Sequence, residues 1–276
     1  MPHLERPGAK IWHESVGEGP LLLCISGGDG SVDIWRMFAN ALKEKFTVVM
    51  WDRRGFSRSP LTSTQDYANR LSTDVSDAAA LIAHYSPSTP ATVIGNSSGA
   101  IIALRLLTTH PTLLRTCISY EPPLASILPD RSALQTEHQA VYALYRSSGP
   151  FPALERFAKL TQANQQNLKN IINFERPYMF SNMTYWFERE FLAYPFAEVG
   201  LGELEGVKGK LVLVCGEETV RGAYQYRANE RLGEVLGLVV EGVPGEHVAH
   251  LTHAGEAAAK LVEILKARDG EFYGKL

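Results

Sequence analysis

Short apolar runs alternate with helical patterns along most of this chain. Residues 21–26 run without polar alternation, as a strand covered on both faces requires, and residues 47–51 repeat the pattern. Shorter or looser runs at 10–14, 92–94, 115–120, 211–215 and 237–243 predict five more strands. Helical patterns fall between them at about 32–45, 66–85, 98–110, 224–236 and 254–267. Strand followed by helix, repeated, predicts a mostly parallel sheet with helices on both faces. In such a sheet, function gathers at the C-terminal ends of the strands.

The alternation lapses between 122 and 208, where only helical patterns appear. Thirteen aromatic residues lie between Tyr142 and Phe196, Phe174 among them. They are half of the chain's 11 Phe, 11 Tyr and 4 Trp, so this stretch predicts a helical lid with an aromatic inner face. Residues 1–121 and 209–276 then form the core domain, and 122–208 an insertion after the sixth strand.

One junction carries the chemistry. The β-branched run 92–94 meets Gly95-Asn96-Ser97-Ser98-Gly99, and an apolar helical pattern follows at once. Gly-x-Ser-x-Gly in that context predicts a nucleophile elbow: a strained turn lifts the serine hydroxyl clear of the sheet. The helix behind it presents its free N–H groups to any negative charge that develops there. Outside that context the motif is also met as a glycine-flanked helix cap.

Composition narrows the setting. Apolar content of 45% and charged content of 21% are those of a globular protein, and a net charge of −3 offers no basic footprint for nucleic acid. Cys24, Cys117 and Cys215 each lie in or beside an apolar run, as free thiols in a reducing compartment would. The N-terminal residues show no signal-peptide core and no apolar run could span a bilayer, so the expectation is a cytoplasmic protein without a membrane partner, with a homodimer left open as its assembly. No metal-binding or phosphate-binding pattern appears, and no cofactor is expected.

A serine hydroxyl needs a base, and the base needs a carboxylate to hold its tautomer. His247 follows the last predicted strand in a Gly-containing loop, with His250 and His253 as its nearest rivals. Glu121 ends the strand after the elbow helix, its backbone pinned by Pro122 and Pro123. Glu217 and Glu218 follow the next strand and reach the same edge. Spacing leaves both positions open, and the stiffer mounting favours Glu121. The Ser98 N–H and the loop Ser26-Gly27-Gly28-Asp29-Gly30, through Gly28, supply the oxyanion donors. Asp29 is either a turn residue or a pocket-facing carboxylate whose charge opposes the oxyanion. Arg53 and Arg54 read as structural fasteners.

Together the elbow, the Gly27-Gly28 turn, Asp52-Arg53-Arg54-Gly55-x-Ser57-x-Ser59 and Gly245-x-His247 resemble the α/β-hydrolase superfamily over nearly the whole chain. Two positions depart from its pattern. Ser26 stands where a histidine is usual, and many members carry the acid near Glu217 and Glu218. Tyr120-Glu121-Pro122-Pro123, the paired Ser97-Ser98, and Gly245 through Thr252-His253 are similar to the fungal zearalenone lactonases. That resemblance implies Glu121 as the acid and Trp186 as a substrate-contacting lid residue. Tyr185 and Asp29 are the other candidate substrate contacts.

The expectation is a serine hydrolase acting on an ester or lactone of a hydrophobic small molecule through Ser97, His247 and Glu121. The alternatives are a carbon–carbon hydrolase, a lyase or lactone-rearranging enzyme with the same triad, or a small-molecule receptor on the same scaffold.

Overall fold

The computed structural model describes residues 3–164, 172–173 and 176–276; Phe174 lies outside them. Eight strands form one sheet: β1 His3–Arg6, β2 Ala9–Val16, β3 Leu21–Ile25, β4 Thr47–Trp51, β5 Ala91–Asn96, β6 Leu114–Tyr120, β7 Leu211–Gly216 and β8 Val240–Val243. Their order is β1-β2-β4-β3-β5-β6-β7-β8. The first two strands run antiparallel to their neighbours, and every pairing from β4 through β8 is parallel.

Side-chain alternation splits the core in two. Leu21, Leu23 and Ile25 face one layer with Val49, Trp51, Val93 and Leu213, while Leu22 and Cys24 face the other with Val48, Met50, Ile94 and Val212. Helices α2 (Arg70–Tyr85) and α3 (Ser98–Thr109) cover the first face, and α1 (Arg36–Leu42) covers the second. Because both faces are buried, β3 and β4 are apolar at nearly every position, which is why they read as unbroken runs. Cys24, Cys117 and Cys215 are buried free thiols.

Two differences from the sequence reading have simple causes. His3–Arg6 is a strand although it is mostly polar, because it pairs only with β2 at the sheet edge and buries little. The helix expected over 32–45 is instead a 3₁₀ turn, Val32–Ile34, followed by α1.

Between β6 and β7 stand α4 (Arg131–Ser148), α5 (Pro150–Thr161), α6 (Met179–Arg189) and α7 (Leu201–Val207). Val141, Leu154, Met183, Trp186, Phe187 and Phe191 make a separate apolar cluster that reaches Phe56 of the core. The flanks behave differently: Leu124, Leu134, Tyr194, Val199 and Leu204 join the core beside α3. The chain closes with α8 (Tyr224–Leu236), α9 (Ala249–Thr252), α10 (Ala254–Arg268) and α11 (Gly270–Tyr273). No described helix is long and apolar enough to cross a membrane.

Candidate active site

Ser97 sits between β5 and α3 with φ 56° and ψ −125°, a conformation that non-glycine residues avoid and that costs about 1–3 kcal/mol. The flanking glycines allow it. A β-carbon on Gly95 would lie 2.2 Å from the Gly99 carbonyl oxygen, and one on Gly99 would lie 2.1 Å from that of Ile25. Ser97 donates its own N–H to the Tyr120 carbonyl at 3.0 Å, which ties the elbow to β6. Ser98 is the first residue of α3, so its N–H has no carbonyl to meet within the helix.

Glu121 continues β6 by one residue. Its N–H donates to the Val214 carbonyl at 3.2 Å, and its φ of 45° turns the side chain out of the strand line. The carboxyl is fully buried and doubly engaged. Oε1 accepts the Gly216 N–H at 2.8 Å, and Oε2 lies 2.6 Å from His247 Nδ1. This contact assigns the proton to Nδ1 and leaves Nε2 as an acceptor. The His247 loop is also held from the elbow side: Asn96 Nδ2 donates to the His247 carbonyl at 2.8 Å. Tyr120 Oη donates to the Glu246 carbonyl.

The loop after β3 closes over the serine. A β-carbon on Gly27 would stand 2.9 Å from Ser97 Cβ, and one on Gly28 would stand 2.7 Å from Trp186 Nε1. Gly28 therefore lies between the neighbourhood of Ser97 and the Trp186 indole. Ser26 Oγ donates to the Ser31 carbonyl at 2.7 Å, and the Gly30 N–H donates to the Gly27 carbonyl at 3.0 Å.

Gly28, Asp29, Ser97, Ser98, Trp186 and His247 line one cavity, whose remaining wall is mostly apolar, including Leu154, Phe157, Met183 and Phe191. Tyr185 is not among the lining residues. It faces the other way, accepting from Arg70 and packing edge-on against Phe56 at 5.0 Å, because alternate helical positions of α6 point to different surroundings. The expected substrate contact at Tyr185 is thus a contact between α6 and the core.

Sequence reading missed Glu190. Fully buried on the cavity wall, it accepts two hydrogen bonds from Arg53, at 2.7 Å from Nη1 and 2.8 Å from Nη2, and one from Arg70 at 3.2 Å. Arg53 also donates to the Gly27 carbonyl at 2.7 Å and to Asp74 at 3.1 Å. Tyr194 Oη donates to Asp74 at 2.7 Å. Burial works against the Arg53 charge, but Glu190 and Asp74 outweigh it and hold the guanidinium above its usual range. Arg53 is a fastener as expected, and what it fastens is the loop beside Ser97. Arg54 grips Asp77 through two bonds of 2.8 Å, away from the cavity.

The other candidates are placed differently, although His250 also lines the cavity. His250 is buried and stacked on Trp35 at 4.2 Å, and burial next to His247 pushes its pKa down to about 3. His253 stands behind the loop, 2.6 Å from where a Gly245 β-carbon would be, and does not line the cavity. Glu217 and Glu218 are exposed, while Glu121 holds the imidazole.

Asp29 is buried with Oδ1 accepting from the Ser31 N–H at 3.2 Å and Oδ2 without a hydrogen-bond partner among the described residues. Burial raises its pKa to about 7, against the Ser31 N–H and the charges of Arg176 and Arg53. The native protein therefore holds this proton between about pH 4 and 7 while the unfolded chain has lost it. Stability falls as pH rises through that window, by about 4 kcal/mol for a shift of this size. Asp29→Asn is expected to raise stability at pH 8 by a few kcal/mol and to change little at pH 4.5, as read by urea denaturation at both pH values. Equal gains at both would refute the buried-acid account.

The family described as alpha/beta hydrolase fold matches residues 20–173. A hydrolase of Bacillus subtilis strain 168 named YraK, itself uncharacterized, is 31% identical over 268 residues, covering 95% of each chain. Among solved structures, the enol-lactonase from Burkholderia xenovorans LB400 superposes with a TM-score of 0.74 at 14% identity, covering 96% of this chain and 100% of that one. A thermophilic esterase from Thermogutta terrifontis gives 0.73 at 17% identity, covering 97% of each. With the elbow, the strand order and a family match over more than half its length, the chain belongs to the α/β-hydrolase family.

Proposed function

We propose that the protein is a serine hydrolase of hydrophobic esters or lactones, with Ser97 as nucleophile, His247 as base and Glu121 as the acid that orients it. The observation that carries this reading is the 2.6 Å contact between Glu121 and His247 Nδ1, with His247 lining the cavity that the strained Ser97 also lines. With its Nδ1 proton engaged, the imidazole offers Nε2 to the serine hydroxyl. Ser97 Oγ attacks the substrate carbonyl as its proton passes to Nε2. The tetrahedral oxyanion takes hydrogen bonds from the Gly28 and Ser98 N–H groups, each worth about 10²–10³ in turnover. His247 returns the proton to the departing alcohol, then takes one from the water that attacks the acyl-enzyme and gives it to Ser97 Oγ as the acyl–oxygen bond breaks and the acid leaves.

The helices between β6 and β7 act as a lid in this reading, with Trp186 pressing on Gly28 and the aromatic cluster forming the roof. Similarity to the zearalenone-lactonase group, through Glu121 directly after β6, supports a lactone among the substrates. No cofactor takes part in the chemistry proposed.

The test pairs a fluorophosphonate probe with p-nitrophenyl butyrate. Stoichiometric phosphonylation of the peptide carrying Ser97, together with ester turnover, is the expected outcome. Labelling without turnover would point to a lyase or receptor use of the same triad, and no labelling would refute an activated Ser97.

A further inference from the structure

His247 stands in the loop between β8 and α9, and its side chain is 28% exposed, whereas the carboxyl that holds it is fully buried. Packing therefore fixes the imidazole less tightly than it fixes Glu121, and hydrogen bonds to the loop backbone carry the rest. Asn96 supplies one of them, to the His247 carbonyl. Tyr120, the last residue of β6, supplies two more. Its hydroxyl donates to the Glu246 carbonyl and accepts the Ala249 N–H at 3.3 Å, an N–H that the Glu246 carbonyl shares at 2.9 Å. One oxygen thus grips the backbone on both sides of His247. The Tyr120 ring also lies tilted to His247 at 6.5 Å and edge-on to His250 at 6.1 Å.

The main chain of the same residue belongs to the sheet. Tyr120 pairs with Asn96 of β5 and Val214 of β7, and its carbonyl accepts the Ser97 N–H at 3.0 Å. Glu121 follows it directly. Burial and the charge of Glu121 hold the phenol well above its usual pKa range, so the hydroxyl keeps the proton that it donates. Tyr120 is not among the residues that line the cavity, so its effect on a reaction there passes through its neighbours.

We infer that Tyr120 is a positioning residue for His247: its backbone is fixed to the Ser97 elbow and its hydroxyl to the loop on either side of the imidazole, so that one side chain sets the base against the nucleophile. Without the hydroxyl, the loop keeps the Asn96 bond and the Glu121 contact but loses the brace across residues 246–249. Misplacing a reacting group by about 1 Å costs about 10²-fold in rate. The inference rests on the hydrolase reading for the reaction that this positioning serves.

The test sets Tyr120→Phe beside Tyr273→Phe. Tyr273 is a second buried tyrosine whose hydroxyl lies 2.6 Å from Thr92 Oγ1 and donates to Thr116 Oγ1 at 2.9 Å. Those threonines stand near the starts of β5 and β6, at the end of the sheet away from Ser97. Both variants should lower the urea midpoint by similar amounts, because each loses one buried hydroxyl. Only Tyr120→Phe is expected to lower kcat for p-nitrophenyl butyrate, by about 10- to 100-fold with KM nearly unchanged. Proton NMR supplies a readout that needs no turnover: the far-downfield resonance of the His247 Nδ1 proton, assigned by its loss in His247→Ala. It should broaden or shift in Tyr120→Phe and stay in place in Tyr273→Phe. A wild-type protein without ester turnover that behaves this way by NMR would sink the hydrolase reading and leave the positioning role standing. An unchanged resonance in Tyr120→Phe, an unchanged kcat in an active protein, or equal falls in kcat for the two variants would overturn the inference. So would a Tyr120→Phe protein that fails to fold beside a folded Tyr273→Phe, since the hydroxyl would then be a prop of the fold.

Discussion

Ser97→Ala is expected to lower kcat for an activated ester by about 10⁶-fold, and His247→Ala by a similar factor, because the proposed nucleophile and base would act as one unit. Glu121→Gln should cost about 10⁴-fold: the amide can present its N–H₂ to Nδ1, which favours the wrong tautomer and takes the acceptor away from the serine. Glu217→Gln and Glu218→Gln, both exposed and outside the Glu121–His247 contact, should change kcat by less than about twofold. Steady-state kinetics with p-nitrophenyl butyrate reads all five. If a Glu217 or Glu218 variant proved the more damaging, the proposed acid would be wrong despite the 2.6 Å contact. A His250→Phe variant that lost activity as fully as His247→Ala would displace the base instead.

The second large effect concerns Glu190. The buried set of Arg53, Arg70, Asp74 and Glu190 is balanced, two cations against two anions, with no side chain more than 3% exposed. Glu190→Ala removes one anion and strands a net positive charge in the interior. Breaking a buried pair in this way costs about 3–5 kcal/mol. The same change frees Arg53, which braces the Gly27 carbonyl next to the proposed oxyanion donor Gly28. Loss of stability should therefore come with a fall in kcat, bounded by the 10²–10³ that one oxyanion donor is worth. Glu190→Gln keeps the shape and part of the hydrogen bonding and should fall between. Urea denaturation and kcat, measured on both variants well below their midpoints, separate the two consequences. Unchanged values of both would mean that the cluster neither holds α6 to the core nor shapes the loop.

The sulfur chemistry outside the site is quiet by comparison. Burial pushes the Cys117 thiol up to about 12, and Cys24 and Cys215 higher still, so none is a reactive thiolate at neutral pH.

What the chain determined by itself was everything local. Unbroken apolar runs marked the buried strands because both of their faces are covered, and the Gly95-x-Ser97-x-Gly99 turn was legible because no other residue fits 2.2 Å from a facing carbonyl. His247 could be singled out because it follows a strand in a loop. Tertiary structure decided whatever depended on distance between remote segments. Glu121 and Glu217 reach the same sheet edge, and only the fold sets one 2.6 Å from the imidazole and leaves the other in solvent. Glu190 meets Arg53 across 137 positions of sequence, and Tyr185 turns away from the cavity that its neighbour Trp186 lines. A hydrophobic pattern says which face of an element is buried, but burial against what, and with which charges, is fixed only when the elements close on one another.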